Sequence, residues 1–264
     1  MMAVFFGFMH KAFQERFVYR TNSYITIVST WLGLFVLVSA WRALYGGKSE
    51  VGGVTFDDMM SFIVINTLVA SLIRSNMGQR IGERVADGSI SIDLIRPVSF
   101  KSYHLANQLG ENLFALLFST VPAVTLAVVL WGFRLPDEPA RISLFILSLV
   151  LGLLLMNQIN YIFGLLAIWL KTSWFINAIT NAAFDLFAGT FVPLWFYPDW
   201  LYAASKFLPF HLVTFQPISI CLGKLTLPAV WAVIGGQLAW LAALWALEKW
   251  MWAKAQDQID IHGG

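Results

Sequence analysis

The sequence predicts an all-α polytopic membrane protein: six transmembrane helices, an N-terminal interfacial amphipathic helix, and a re-entrant helical hairpin between helices 5 and 6. Three observations point there. Apolar residues fill 58 % of the 264 positions and charged residues only 12 %, about half the charge of an ordinary soluble domain. Apolar runs recur at a length that suits a bilayer. Prolines then gather in one late segment that is apolar yet too broken to span. With a mean hydropathy of +0.70, a soluble fold of this size could not hide so much apolar surface.

The first element covers residues 1–21. On a 100° wheel Phe5, Phe6, Phe8, Met9, Ala12, Phe13 and Phe17 take one half. His10, Lys11, Gln14 and Glu15 take the other, with Arg16 and Arg20 intruding near the end. This is the pattern of a helix lying in the membrane surface, its Lys11, Glu15, Arg16 and Arg20 at the headgroups. A soluble amphipathic helix against a partner domain would read the same way. No basic leader or small-residue cleavage site marks it as a signal peptide.

A spanning helix needs about 20 mostly apolar residues. Six stretches qualify: Tyr24–Leu44, Met59–Ile73, Asn112–Phe133, Ile142–Leu170, Thr172–Phe196 and Leu225–Leu247. The second is short but extends easily as a helix. Residues 193–222 differ, because Pro193, Pro198, Pro209 and Pro217 interrupt them. Each proline removes a backbone donor and disfavours helix just before it. Pieces of about ten residues survive at membrane depth only when buried against protein, hence the re-entrant hairpin.

Orientation follows from Lys and Arg. Six spans put both ends on one side, together with Lys11, Arg16, Arg20, Arg74, Arg80, Arg84, Arg96, Lys101, Lys171, Lys249 and Lys254. Opposite them fall only Arg42, Lys48, Arg134, Arg141, Lys206 and Lys224. The excess places both termini in the cytoplasm of a cell membrane, with 193–222 on the outer side. Twelve Trp and seven Tyr suit two interfacial belts.

The cytoplasmic loop 83–101 carries the most information. Gly88 suits the residue just past a helix end. Ser89 or Ser91 can cap a short new helix with Asp93 in its first turn, and Pro97 ends it. That helix would expose Ile90, Leu94 and Ile95 between the charged edges Arg84, Asp87 and Arg96, an apolar knob suited to a groove on another protein. Packing of Ile90 and Leu94 against the membrane surface is the equal alternative.

Asn177, Asn181 and Asp185 recur at i, i+4 and i+8 on the fifth span, forming one polar stripe with Thr190 nearby. They line a translocation path or make interhelical hydrogen bonds of about 0.6 kcal/mol each. Asn157, Gln158 and Asn160 on the fourth span leave the same choice open. Glu111 reads as an ordinary interfacial acid.

Catalytic chemistry has no foothold. Gly47-Lys48-Ser49 matches only the end of a phosphate-binding loop, since Arg42 stands where its leading glycine belongs. There is no Gly-x-Ser-x-Gly elbow and no His-Glu-x-x-His. The four histidines share no ligand spacing and the single Cys221 offers neither disulfide nor thiolate site, so no metal is expected. A net charge of +2 without a basic cluster argues against nucleic acid.

Two stretches carry a family likeness. One is Asp87-Gly88-Ser-Ile-Ser-Ile-Asp-Leu94-Ile-Arg96-Pro97-Val-Ser. The other is Gly189-Thr-Phe-Val-Pro193-Leu-Trp-Phe-Tyr-Pro198, followed by Leu208-Pro209-Phe210. In that order, and on opposite sides of the membrane, they resemble the permease subunits of type-2 class ATP-binding cassette exporters. The resemblance covers the whole chain as a single permease domain.

It implies a half-transporter. A second permease, leaning towards a non-identical one, would complete the pathway, and two cytoplasmic ATPase subunits would bind the ATP and Mg that drive it; this chain binds no cofactor. Residues 1–21 would be an elbow helix. Arg84, Asp87, Gly88, Ile90, Leu94, Ile95, Arg96 and Pro97 would couple to the ATPase, and Pro193, Trp195, Phe196 and Pro198 would shape an outer gate. The cargo would be hydrophobic or amphipathic and move outward. A stand-alone channel or ion-coupled carrier is the competing reading, which would want inverted repeats or helices broken at the midplane.

Overall fold

In the computed structural model, residues 2–18, 20–131, 138–170 and 176–256 are described. Helix dominates them, as it must where no water is at hand to satisfy backbone amides. The chain opens with α1 (Met2–Val18) and α2 (Arg20–Tyr45). A two-stranded antiparallel hairpin follows, β1 (Glu50–Val51) and β2 (Val54–Thr55). Thr55 then caps α3 (Phe56–Ile73), its Oγ1 accepting from the Asp58 amide at 3.1 Å, with Asp57 and Asp58 at the positive end of the helix.

After a break come α4 (Met77–Ala86), α5 (Ile90–Leu94) and α6 (Phe100–Ala115). A π-helical turn at Leu116–Thr120 joins α6 to α7 (Val121–Trp131). Pro122 explains the turn: its ring cannot fit an undistorted helix, and the widened register just before it relieves the clash. The Ser119 carbonyl there accepts from the Trp31 indole of α2 at 3.3 Å. Beyond lie α8 (Pro139–Leu170) and α9 (Ile176–Phe187). Next come α10 (Asp199–Lys206) and α11 (Phe215–Cys221), each preceded by a 3₁₀ turn, and finally α12 (Leu227–Gln256).

Among the described residues, five helical stretches are long and apolar enough to cross a membrane: Ser23–Tyr45, Phe56–Ala86, Phe100–Trp131, Pro139–Leu170 and Leu227–Gln256. They correspond to five of the six expected spans, and the second is longer than expected at both ends. The remaining expected span, Thr172–Phe196, differs. Its residues 172–175 lie outside the described part, and the helix stops at Phe187 rather than reaching Phe196. Gly189 forces the stop by taking φ 72°, where a Cβ would also meet Leu194 at 3.1 Å. The twelve described residues of α9 measure about 18 Å, against roughly 30 Å of hydrocarbon.

Two apolar cores hold the bundle. The larger gathers Leu34, Val38 and Trp41 of α2, Phe62 of α3, Leu155 of α8, Ile234 of α12, and Phe210, Val213, Phe215 and Ile218 of the proline-broken segment. Gln237, fully buried in α12, ties that segment in: its Nε2 donates to the Leu212 and Ser148 carbonyls at 2.8 Å each. The smaller core, at the other end, joins Met77, Ile81, Ile90, Phe100, Tyr161, Leu165 and Met251.

The N-terminal helix rests one side on the bundle. Phe5, Phe8, Met9, Ala12, Phe13 and Arg16 turn towards the protein, and α1 packs along α6 rather than presenting its whole apolar half to lipid. Phe6 and Phe17 remain exposed. The reason is aromatic: Phe13 and Phe17 meet Phe114 and Phe118 in edge and tilted contacts 5.0–6.2 Å apart.

Candidate functional site

The loop 83–101 folds as a short helix slung between two long ones. α4 ends at Ala86, and Gly88 takes φ 74°, the left-handed conformation expected just past a helix end. Asp87 closes the turn, its Oδ1 accepting from the Ser89 amide at 2.9 Å and the Ser89 hydroxyl at 2.6 Å. Those bonds hold the Asp87 carboxyl below its ordinary pKa. Ser89 thus spends its hydroxyl on Asp87, and neither it nor Ser91 caps α5 as expected. Pro97 lies exposed beyond the end of α5, and Ser99 caps α6.

Two sequence readings need correction. Ile90, expected on the exposed knob, is buried at 5 % in the smaller core, while Ile92 takes its place at the surface with Leu94 and Ile95. Asp93, expected only to greet the helix dipole, has a side chain 0 % exposed at the centre of a charge cluster. Arg96 Nε donates to Asp93 Oδ1 at 3.1 Å. Arg84 Nε and His104 Nε2 approach Oδ2 at 3.6 and 3.5 Å, ion-pair distances longer than formed hydrogen bonds. Arg84 and Arg96 therefore edge the knob while leaning onto Asp93, their side chains 34 % and 26 % exposed. The Arg96 guanidinium also lies over Tyr103 at 4.2 Å and Phe8 of α1 at 5.6 Å.

Burial alone would raise the Asp93 carboxyl, but His104, Arg96 and the Arg84 charge outweigh it and hold it below its ordinary value. A depressed carboxylate stabilises the fold fully above its free pKa of about 3.9, and the contribution fades as pH falls through the lower folded value. A spin label at Ser91, placed after Cys221→Ser, is therefore expected to keep constant mobility from pH 8 to 5. It should loosen only below about pH 4. Loosening between pH 7 and 6 would contradict this assignment.

The root of the same hairpin is tied by a second polar cluster. The chain breaks at residues 74–76, and Gln108 of α6 fills the break. Its Oε1 accepts from the Asn76 amide at 3.0 Å and Arg80 Nη2 at 2.6 Å, and its Nε2 donates to the Arg74 carbonyl at 3.0 Å. Glu111 is bridged by Arg80 at 2.9 Å and by Arg16 of α1 at 3.0 Å. It is a structural acid, not the ordinary interfacial one expected. Glu248, near the end of the last span, escaped the sequence reading. It is buried, receives Lys101 at 2.5 Å and Gln158 Nε2 at 3.1 Å, and so joins α6, α8 and α12. An acid ending an otherwise uncharged apolar run was the available signal.

The hairpin also sits close to its neighbour. A Cβ on Gly164 of α8 would fall 2.7 Å from Ile81 Cδ1 and 3.2 Å from the Gly78 Cα, so α4 and α8 touch nearly backbone to backbone.

Other expected sites are scattered. On α9, Asn181 is exposed and Asp185 is half-buried, its Oδ1 accepting from Thr190 Oγ1 at 3.2 Å. The side chains of Asn177 and Arg20 lie outside the described part. Lys11 and Glu15 pair at 3.8 Å on the exposed side of α1. Pro193 is buried and Pro198 exposed. Trp195 packs on Phe62 and Phe215, and Phe196 on Trp41. Among the described residues no group of His, Cys, Asp and Glu could hold a metal ion.

The described helices thus form a multi-helix membrane bundle with a short helical loop beyond its long helices. Residues 28–263 match the family described as ABC-2 family transporter protein, and the chain belongs to that family. Membership makes it a multi-pass membrane component that works with ABC ATPase subunits. No curated protein matches it significantly.

Proposed function

We propose that this chain is the permease subunit of an ABC exporter. It pairs with a second, non-identical permease and is driven by two cytoplasmic ATPase subunits that bind the ATP and Mg. The observation that carries this reading is the surface of α5 and the residues just past it, where Ile92, Leu94, Ile95 and Pro97 are exposed while the one charge of the helix, Asp93, is buried. An apolar knob outside the long helices wants a groove on another protein. Family membership supplies the ATPase that would carry that groove.

In this reading α9 belongs to a sixth span, both termini are cytoplasmic, and residues 193–222 re-enter the outer leaflet. Asn181 and Asp185 face the pathway, and Pro193, Trp195, Phe196 and Pro198 shape the outer gate. Asn181 supports the pathway: an exposed amide on an apolar helix favours water or a second subunit over lipid. The cargo is hydrophobic or amphipathic.

Purification of the tagged chain from its own membranes in mild detergent tests the proposal. We expect a soluble ATPase and a second permease to co-elute, with vanadate-sensitive ATP hydrolysis in the same peak. A chain that elutes alone, or an α5 loop labelled from outside intact cells, would overturn it.

A further inference from the structure

We infer that Asp93 is a positioning residue that locks α5 to α4 and α6, so that the apolar knob meets its partner rigid rather than as a floppy loop. The inference rests on the reading of α5 as the ATPase-docking segment. A helix of five residues has no stability of its own. α5 has no side-chain N-cap bond, and Ile90 is its one residue in an apolar core while Ile92, Leu94 and Ile95 point out. Apolar burial therefore cannot fix its direction.

Asp93 can. Its carboxylate is fully enclosed, and such a group is tolerated only with close counter-charges. Those come from Arg84 on α4 and Arg96 just past α5, while the buried His104 ring of α6, kept neutral by desolvation, closes the third side of the carboxylate at 3.5 Å. Arg96 passes the connection on to Phe8 of α1 through its stack on Tyr103, and Phe8 and Tyr103 meet edge-on at 5.0 Å. One carboxylate thus fastens the tip of the hairpin to three other elements. Because both arginines lean onto Asp93, Ile92, Leu94 and Ile95 are left as an apolar centre with the exposed Asp87 and the partly exposed Arg84 and Arg96 at its edge, and the receiving groove should be apolar at its floor.

Pulsed spin-label distances in nanodiscs test this, in the chain carrying Cys221→Ser. One label pair, at Ser91→Cys and Lys254→Cys, reports α5 against α12. A second, at Leu147→Cys and Leu247→Cys, reports α8 against α12. We expect Asp93→Asn to widen the first distribution at least twofold and leave the second narrow. Adding Arg96→Gln to Asp93→Asn should widen it no further, as expected of residues acting as one unit. Titrated with the purified ATPase, Asp93→Asn should dock about tenfold more weakly. An unchanged first distribution overturns the lock, and broadening of both pairs overturns it too, since the role would then be general stability.

Should Asp93→Asn fail to accumulate, Arg96→Gln alone carries the test, because it leaves the carboxylate and removes its closest partner. Ile95→Asp separates the two ideas. It should lose docking without widening either distribution, and full docking by that variant would sink the docking surface while leaving the distance result on the lock standing.

Discussion

Replacing Ile95 by aspartate is expected to weaken ATPase docking by about sixtyfold or more while the permease inserts and folds as before. Ile95 is 84 % exposed, the most exposed large apolar side chain of the α5 knob, so the chain itself loses almost no packing when it goes. The partner loses the burial of an isoleucine, about 1.5–3 kcal/mol. It must also strip water from a carboxylate that finds no cation, because Arg84 and Arg96 are already held by Asp93. That adds on the order of 1–3 kcal/mol. At about 1.4 kcal/mol per tenfold in affinity, the total of about 2.5–6 kcal/mol gives a factor of about sixty or more. Phe207→Asp is the matched control: Phe207 is 81 % exposed beside α10, far along the chain from the knob, and its loss should leave docking unchanged. Ile90→Asp should instead fail at folding, since it places a charge in the smaller core. A dissociation constant for Ile95→Asp within threefold of the parent would remove α5 from the interface.

The contrast between Ile90 and Ile95 marks where sequence reading reached its limit. Long apolar runs announce spans because about 20 residues of hydrocarbon-compatible sequence have few other uses, and five of those runs appear as long apolar helices. Gly88 was legible for a similar reason, since a helix end that needs a positive φ selects for glycine. Which side of α5 faces out was not legible. A helix of little more than one turn has no periodicity to read, and its orientation depends on Arg84, Arg96 and His104, which only the fold brings around Asp93. Glu111 and Glu248 were missed in the same way. Each looks like an interfacial acid locally, yet Arg16 reaches Glu111 from α1, and Lys101 reaches Glu248 across 147 positions. The wheel of the first helix gave its apolar half correctly but could not say that Phe114 and Phe118 compete with lipid for it.

The docking of α1 on α6 should fail when Gly110 becomes valine. Even a Cβ at that position would overlap the Met9 carbonyl oxygen and crowd Ala12 Cβ and the Phe13 amide nitrogen at 3.0 Å each. Two of those three atoms are backbone, so no rotamer change relieves the clash, and α1 must move away. Overpacking of this kind costs about 1–3 kcal/mol. Displacement also pulls Arg16 from Glu111 and leaves an acid that is only 19 % exposed short of one of its two cations, so we expect about 3 kcal/mol or more in all. Thermal unfolding in detergent should shift down, and trypsin should cut after Lys11 and Arg16 much faster than in the parent. Gly235 provides the comparison. It too lies within a long helix, α12, but a Cβ there meets nothing within 4 Å. Gly235→Ala should be neutral or stabilise by up to about 1 kcal/mol through helix propensity. Gly110→Val with the parent's melting temperature and trypsin resistance would mean that α1 does not rest on α6, and the link from Arg96 through Phe8 to the first helix would fall with it.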